Sequence, residues 1–260
     1  MFIQFVADYF KHRLTSKSRH GTHSPFVYKL VDEVIYDFSA KKVYEDIELQ
    51  RKKLLNDDTL LTITDMGAGS QLNRNRQKKV SALAKNALKS PRLAQLIYRL
   101  AKQHPAQKII ELGTCLGITT AYLAKANEAA TVISMEGCPE TANIAYRNFV
   151  ALELVNIELQ VGNFNALFPK EVENSAQLDF VYIDGNHTKA ATLKYFTLCL
   201  PKTHEGTLLI FDDIYWSKGM KAAWEEIKAH PEVTVTIDLF WIGLVYFKKG
   251  QVKEHFKIKF

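Results

Sequence analysis

From Lys108 onward the chain alternates short β-rich apolar runs with stretches long enough for a helix. Such alternation is typical of βαβ units, whose parallel strands form a sheet with helices packed against it. It predicts seven strands, at 108–112, 131–136, 157–161, 178–184, 207–211, 234–240 and 242–247. Helices are predicted at 118–125, 139–152, 189–200 and 218–230, and less strongly at 165–172. Thr188 and Ser217 are placed to cap two of them.

The last two predicted strands are separated by almost no sequence. A parallel pair needs a crossover of about a dozen residues or more, so these two strands must form an antiparallel hairpin. The C-terminal part is therefore predicted to be an α/β fold with a mostly parallel sheet that ends in a hairpin.

The first 107 residues have a different pattern, with helices predicted at 31–35, 80–88 and 91–102. Gly21, the Ser24-Pro25 pair and the glycines at 67 and 69 mark breaks between them. We expect residues 1–90 to form a mostly helical extension or lid and residues 91–260 to form the main domain.

The composition, 47% hydrophobic and 24% charged, is that of an ordinary folded protein. The N-terminus lacks the basic start and the cleavage site of a signal peptide, and no run reaches the roughly 18 apolar residues of a membrane helix. Cys115, Cys138 and Cys199 lie far apart and outside any metal-ligand spacing. We therefore expect a cytoplasmic protein with reduced thiols and no membrane partner.

The charge is unevenly spread along the chain. Residues 1–107 carry 19 basic and 10 acidic side chains, whereas residues 108–260 carry 15 and 18. A basic segment attracts RNA or an anionic substrate, but a solvated helical surface gives the same count. We favour the solvated surface and keep RNA as the less favoured partner.

A glycine-containing turn follows the first strand of the main domain. The run Glu111-Leu112-Gly113-Thr114-Cys115-Leu116-Gly117 leads from a strand into a helix, where a ligand meets the helix N-terminus. A dinucleotide site needs G-x-G-x-x-G, and here the middle glycine is missing. Glu111 would repel a pyrophosphate and attract an ammonium group. The turn therefore favours S-adenosylmethionine, which carries an amino-acid moiety, over a dinucleotide, and a dehydrogenase is the least favoured class.

Two further segments agree with that cofactor. Glu136 ends the second strand, 25 residues after Glu111, where an acid accepts hydrogen bonds from both ribose hydroxyls. Gly162, Asn163 and Phe164 follow the third strand and offer an amide and an aromatic ring to the adenine.

These segments, at 109–120, 132–138, 162–163 and 178–213, resemble the class I methyltransferases over about residues 90–250. The resemblance implies a Rossmann-like, seven-stranded sheet whose last strand is reversed. It also implies S-adenosylmethionine as the methyl donor, bound by Glu111, Gly113, Thr114, Gly117, Glu136, Gly162, Asn163, Phe164 and Asp184.

Three carboxylates, Asp184, Asp212 and Asp213, follow two further strands. They would repel one another unless a cation lay among them, and an all-oxygen set suits Mg²⁺, Ca²⁺ or Mn²⁺. The arrangement resembles the metal-dependent catechol and caffeoyl-CoA O-methyltransferases, with Asp213 in place of their amide ligand. A divalent cation such as Mg²⁺ and a metal-free use of these acids both stay open.

The candidate catalytic residues are Asp184 and His187. His187, three residues after Asp184, is the candidate general base for the methyl acceptor. A loop histidine that only hydrogen-bonds to the backbone or to the acids is an equal alternative. Tyr215-Trp216 and Phe240-Trp241 offer aromatic surface for an acceptor pocket or for core packing.

Two N-terminal segments also contain residue types that are common in binding sites. The run from Asp65 to Ser70 contains an acid and glycines after a strand, but no second strand ending in an acid follows it. We interpret it as a structural turn and as a hypothetical lid over the cofactor. His20 and His23 have no neighbouring acid or cysteine that completes a metal spacing.

The sequence thus predicts a methyltransferase that acts on an oxygen or nitrogen of a small molecule. The alternatives are an RNA-modifying methyltransferase and a protein that binds S-adenosyl ligands without catalysis. Homodimer formation stays open.

Overall fold

The computed structural model describes residues 2–21, 23–64 and 77–260. The chain divides into two compact units. The first unit comprises Met1–Asp37 and Glu171–Phe260, and the second unit comprises Phe38–Lys170. The division at residue 90 that we expected from the sequence stays a prediction.

The described residues form ten α-helices with short 3-10 and π-helical turns between some of them. The helices are α1 (Phe2–Thr15), α2 (Pro25–Leu30), α3 (Lys42–Leu55), α4 (Val80–Ala87), α5 (Pro91–Gln103), α6 (Ile118–Ala126), α7 (Pro139–Ala151), α8 (Phe164–Asn174), α9 (Lys189–Cys199) and α10 (Lys218–Ala229). Thr188 and Ser217 cap α9 and α10 as predicted, because their hydroxyls accept hydrogen bonds from the N–H groups of Ala191 and Met220.

The same part of the chain forms ten strands. They are β1 (Leu60–Thr62), β2 (Gln77–Lys79), β3 (Lys108–Leu112), β4 (Thr131–Glu136), β5 (Ile157–Val161), β6 (Phe180–Ile183), β7 (Leu208–Asp212), β8 (Val235–Asp238), β9 (Ile242–Tyr246) and β10 (Glu254–Lys257). Strands β1 and β2 form a small antiparallel sheet. The other eight belong to the main sheet.

In the second unit, β3, β4 and β5 are parallel neighbours in that order, with Lys108 opposite Thr131 and Val132 opposite Ile157. Helix α6 connects the first pair and α7 the second. The apolar side chains of β3 are buried, and α5 places its apolar face against the core of this unit. The carboxyl ends of the three strands therefore lie along one edge.

In the first unit the strand order is β10-β8-β9-β7-β6. Strand β6 is parallel to β7, whereas β9 runs antiparallel to both β7 and β8. The predicted C-terminal hairpin is thus confirmed as β8–β9. Both β6 and β7 are buried along their whole length, which agrees with their uninterrupted apolar sequence.

The predicted number of seven strands is wrong by one, because β10 pairs in parallel with β8. Its sequence, Glu-His-Phe-Lys, has three polar side chains out of four and is only partly buried. An edge strand of this kind lacks the apolar run by which the other strands were found.

None of the described helices is long and apolar enough to cross a membrane.

Candidate active site

The second unit contains the predicted cofactor turn, which we call the glycine loop (residues 112–118). The N–H groups of Gly113 and Thr114 both donate to the carbonyl oxygen of Met135 on β4, at 2.9 and 3.1 Å. The backbone φ angle is positive at Gly113, Cys115 and Gly117. The loop is therefore tied to the neighbouring strand while it reverses direction into α6.

Gly117 is the N-cap of α6 and has a φ of +80°. A Cβ atom at this position would lie 2.6 Å from Cε1 of Phe149. Both the backbone conformation and the contact with the ring of Phe149 therefore require glycine. This requirement explains the second glycine of the motif without reference to a ligand.

Glu111 is completely buried at the end of β3. Its Oε2 accepts hydrogen bonds from the hydroxyls of Thr120 on α6 and Ser134 on β4. The hydroxyl of Thr114 is also hydrogen-bonded to that of Ser134. The carboxyl group of Glu111 is thus held in place by hydroxyl groups of α6 and β4, and its predicted role in binding an ammonium group stays a prediction.

Glu136 lies at the end of β4 and connects two segments of the candidate site. Its Oε2 accepts the N–H of Cys115 at 2.7 Å, and its Oε1 accepts the N–H of Cys138 at 2.9 Å. Burial raises the pKa of Glu136, although the backbone N–H groups of Cys138 and Cys115 act in the opposite direction. The hydroxyl of Thr141 and the N–H of Gly137 lower the pKa as well. Since one carboxylate oxygen can accept two hydrogen bonds, a ribose hydroxyl would join or displace these donors.

The segment after β5 is held beside Glu136, because the N–H of Gly162 donates to the Glu136 carbonyl oxygen at 2.8 Å. Asn163 is exposed, and its Oδ1 accepts the N–H of Asn165 at the start of α8. Phe164 is half-buried. The structure thus brings together the glycine loop, Glu136 and this segment at one edge of the second unit.

The first unit contains a cluster of its own, which we call the acid cluster (Asp184, His187, Asp212 and Asp213). Asp184 follows β6, and Asp212 ends the neighbouring strand β7. The hydroxyl of Tyr182, which is completely buried, lies 3.1 Å from Oδ2 of Asp184 and 3.3 Å from Oδ1 of Asp212. The phenol of Tyr182 is therefore within hydrogen-bond distance of both carboxylates.

His187 faces the acids across the cluster. Its Nε2 lies 3.5 Å from Oδ1 of Asp184 and 3.9 Å from Oδ2 of Asp213. Asn186 and Asp213 both have a φ of +53°, a conformation that Asn and Asp adopt more readily than other non-glycine residues. The backbone thereby turns both flanking loops so that His187 and the acids meet.

The donor atoms in this cluster fit a divalent cation in part. Asp184, His187 and Asp212 each offer one ligand atom, and these atoms lie within 4.8 Å of one another. Among the described residues, the grouping includes His187 rather than the predicted Asp213. Two carboxylates with one imidazole suit Mn²⁺, Fe²⁺ or Zn²⁺ better than Mg²⁺.

The two predicted aromatic pairs have mixed environments. The ring of Tyr215 stacks on that of Phe240 at 4.7 Å, and Phe240 is buried. Trp216 and Trp241 keep 52% and 38% of their surface exposed, and both rings contact Phe5 of α1. Core packing therefore accounts for Tyr215 and Phe240, whereas the two tryptophans are available to a ligand.

Several polar residues of the site were missed by the sequence analysis, namely Thr120, Ser134 and Tyr182. The signal that could have revealed them is a hydroxyl side chain inside an otherwise apolar strand or helix. The hypothetical lid at Asp65–Ser70 lies outside the described residues. His23 is exposed and belongs to none of the possible metal-binding groups found in the described residues.

Comparison with known proteins agrees with this geometry. Residues 110–214 match the family model of a methyltransferase domain. A catechol O-methyltransferase from Niastella koreensis is 29% identical over 128 residues, which are 48% of this chain and 57% of that protein. The chain thus spans little more than half the length of this curated relative.

Solved structures share the fold. An O-methyltransferase from Bacillus cereus in complex with SAH matches with a TM-score of 0.57 and 19% identity, covering 81% of this chain and 93% of that one. A methyltransferase from Podospora anserina bound to SAH has a TM-score of 0.59 at 10% identity, covering 88% and 98% of the two chains.

Residues 110–214 thus resemble a methyltransferase domain in sequence, and the chain shares its fold with solved methyltransferases.

Proposed function

We propose that this protein is an enzyme that transfers the methyl group of S-adenosylmethionine to an oxygen of a small-molecule acceptor. The observation that carries the proposal is the position of Glu136. Its carboxylate binds the N–H of Cys115 in the glycine loop while the next segment, at Gly162, binds its backbone. An acid joined to a glycine loop in this way suits the ribose of an S-adenosyl ligand.

The second unit supplies the groups that would hold the cofactor. Glu136 would accept the ribose hydroxyls, and residues 162–164 would contact the adenine. The positive end of α6, just after Gly117, suits the carboxylate of the methionine moiety. Glu111 supplies the negative charge that selects an ammonium group over a phosphate.

The first unit supplies the groups for the acceptor. Bound S-adenosylmethionine provides a methyl group on a sulfonium, which an aligned nucleophile displaces in line. The acceptor hydroxyl has to lose its proton, and His187, whose Nε2 lies 3.5 Å from Oδ1 of Asp184, is the base that we propose. Asp184 and Asp213 would stabilise the imidazolium that forms when His187 takes this proton. Asp184 is also proposed as a cofactor contact.

A divalent cation is compatible with this scheme. Asp184, Asp212 and His187 would hold it, and it would lower the pKa of an acceptor hydroxyl by binding it. In that case His187 would be a ligand, and the base would be a different group.

Small-molecule acceptors are favoured over RNA because the two exposed tryptophans, Trp216 and Trp241, lie next to the acid cluster. The backbone N–H of Asp213 donates to the carbonyl oxygen of Trp241 at 2.8 Å, and the N–H of Trp216 donates to that of Asp213 at 2.9 Å. Flat apolar side chains at this place suit a small planar molecule.

We also propose a cytoplasmic location, which the cysteines support. None of the three forms a disulfide in the part of the chain described, and Cys138 and Cys199 are buried. Disulfides are rare in that compartment. Homodimer formation stays a prediction.

The direct test is methyl transfer from S-adenosylmethionine with an isotopically labelled methyl group. A panel of small hydroxylated compounds, including catechol, is assayed beside unmodified tRNA. We expect label in at least one small acceptor, and much slower transfer by the His187→Gln variant. Transfer to tRNA alone would show that the RNA alternative is correct. Cofactor binding without transfer to any acceptor would favour the catalytically silent alternative.

A further inference from the structure

Helix α3 of the N-terminal part lies against the helices that flank the glycine loop, all within the second unit. The hydroxyl of Tyr122 on α6 donates to Oε1 of Glu48 on α3 at 2.8 Å. Two residues further along α3, Nε2 of Gln50 donates to Oδ1 of Asn148 on α7 at 2.7 Å. Helix α3 thus contacts both helices through polar side chains.

Asn148 continues this connection to the glycine loop. It is 4% exposed, and its Nδ2 donates to the carbonyl oxygen of Leu116 at 2.8 Å. The next residue of α7, Phe149, provides the ring against which Gly117 packs. Two consecutive residues of α7 therefore hold two consecutive residues of the loop.

Hydrogen-bond chemistry fixes the orientation of both amide side chains. The carbonyl oxygen of Leu116 is only an acceptor, so Asn148 must present its NH₂ group to it. The Oδ1 of Asn148 then faces α3 and needs a donor, which Gln50 supplies with its own NH₂ group. Either amide in the reverse orientation would bring two acceptors or two donors together.

Helix α3 is itself held firmly, so Gln50 has a defined position. Arg51 is buried and bonds through Nε to Glu48 at 2.9 Å and through Nη1 to the carbonyl oxygen of Lys89 at 2.7 Å. Leu54 and Ile47 of the same helix are also buried.

We propose that Gln50 is a positioning residue for the cofactor, acting through Asn148 on the Leu116 carbonyl and thereby on the conformation of the glycine loop. The inference rests on the proposed function, in which this loop binds S-adenosyl ligands. It gives the N-terminal helix α3 a role in cofactor affinity that is separate from any contact with the acceptor.

The test compares S-adenosylhomocysteine binding, by isothermal titration at 25 °C, in the full-length protein and in three variants. Gln50→Glu keeps the length of the side chain but places an acceptor opposite Oδ1 of Asn148. The amide of Asn148 then rotates or withdraws, and the bond to Leu116 weakens. We expect the Kd to rise roughly five- to tenfold, as for the loss of one buried hydrogen bond with an acceptor left facing another.

Gln50→Met removes the donor without adding an acceptor, so its Kd should rise less, by roughly two- to threefold. The control is Gln103→Glu, which makes the same chemical change at an exposed position near the end of α5. Its Kd should equal that of the wild type. Thermal melting is measured in parallel on every variant.

A purely structural role for Gln50 would lower the melting temperature and leave the Kd at 25 °C unchanged, and this result would overturn the inference. A Kd for Gln50→Glu that changes no more than that of Gln103→Glu would do the same. If Gln50→Glu does not fold, the Kd of Gln50→Met decides in the same way. A wild-type protein that binds no S-adenosylhomocysteine would instead refute the proposed function itself.

Discussion

His12 on α1 lies with its Nε2 2.9 Å from Oδ1 of Asp238, the last residue of β8, and both side chains are buried. The other carboxylate oxygen of Asp238 accepts the hydroxyl of Tyr215 at 2.7 Å, and Oδ1 also accepts the N–H of Phe240. Phe240 has a φ of +73°, which is unusual for a bulky side chain. Asp238 thus joins the N-terminal helix, the loop after β7 and the hairpin tip.

This arrangement predicts that Asp238→Ala destabilises the protein strongly. Removing one partner of a buried, hydrogen-bonded pair typically costs about 3–5 kcal/mol. We expect a loss of this order in the free energy of unfolding, measured by urea denaturation at pH 7. Asp46→Ala, at an exposed position of α3, is the control and should change this energy little. A loss below about 1 kcal/mol for Asp238→Ala would contradict the role of Asp238.

The environment of Asp238 also predicts how the free energy of unfolding depends on pH. Burial would raise its pKa, but the hydrogen bond and charge of His12 and the hydroxyl of Tyr215 outweigh burial and lower the pKa below its usual value. A carboxyl with a lowered pKa stabilises the fold above its unfolded pKa, near 3.9, and loses this contribution as the pH falls through the folded value. The difference in unfolding free energy between wild type and Asp238→Asn should therefore shrink below about pH 4. A difference that stays constant down to pH 2.5 would argue against this assignment.

Gly117 should not tolerate a side chain. In Gly117→Ala the new Cβ meets the ring of Phe149 in addition to the strain of a φ of +80°. Gly250→Ala is a matched control, because Gly250 has a φ of +71° with open space around it. We expect roughly 1–2 kcal/mol of destabilisation at Gly250 and clearly more at Gly117, with loss of S-adenosylhomocysteine binding only in the latter. Equal effects of the two substitutions would show that the contact with Phe149 is unimportant.

The geometry of the acid cluster predicts which of its residues would bind a cation. If a cation binds through Asp184, His187 and Asp212, then His187→Gln should weaken Mn²⁺ binding by roughly tenfold or more, whereas Asp213→Asn should have a smaller effect. Mn²⁺ titration followed by electron paramagnetic resonance measures both. The reverse order of effects would favour the set of three aspartates that the sequence predicted.

The strands from β3 to β9 were predictable because each is rich in apolar or β-branched residues and is bounded by turns or helices. The polar edge strand β10 was not, and neither was α1, whose aromatic side chains pack against Phe240 and Trp241 only in the folded protein. Such partners are more than 200 residues apart in sequence. Local sequence patterns do not predict contacts between residues so far apart in the sequence.

The same distinction applies to the candidate site residues: some could be predicted from the sequence and others could not. Glu111 and Glu136 in the second unit could be located because residues at the ends of neighbouring parallel strands lie at the same edge. The same holds, within the first unit, for the acids at 184 and 212. The hydroxyls of Ser134 and Tyr182, and the amide of Asn148, contribute through contacts between elements. A hydroxyl inside an apolar strand indicates that the residue is unusual, but the sequence does not show which residue it contacts.

The most direct test of the central claim is the binding of S-adenosylhomocysteine to the wild-type protein and to Glu136→Gln, measured by isothermal titration. Glu128→Gln, at an exposed position, is the control. We predict binding by the wild type and by the control, and a Kd at least roughly tenfold higher for Glu136→Gln, because hydrogen bonds to a charged group are the stronger kind. Absence of binding by the wild type, or equal Kd values for all three proteins, would contradict the account.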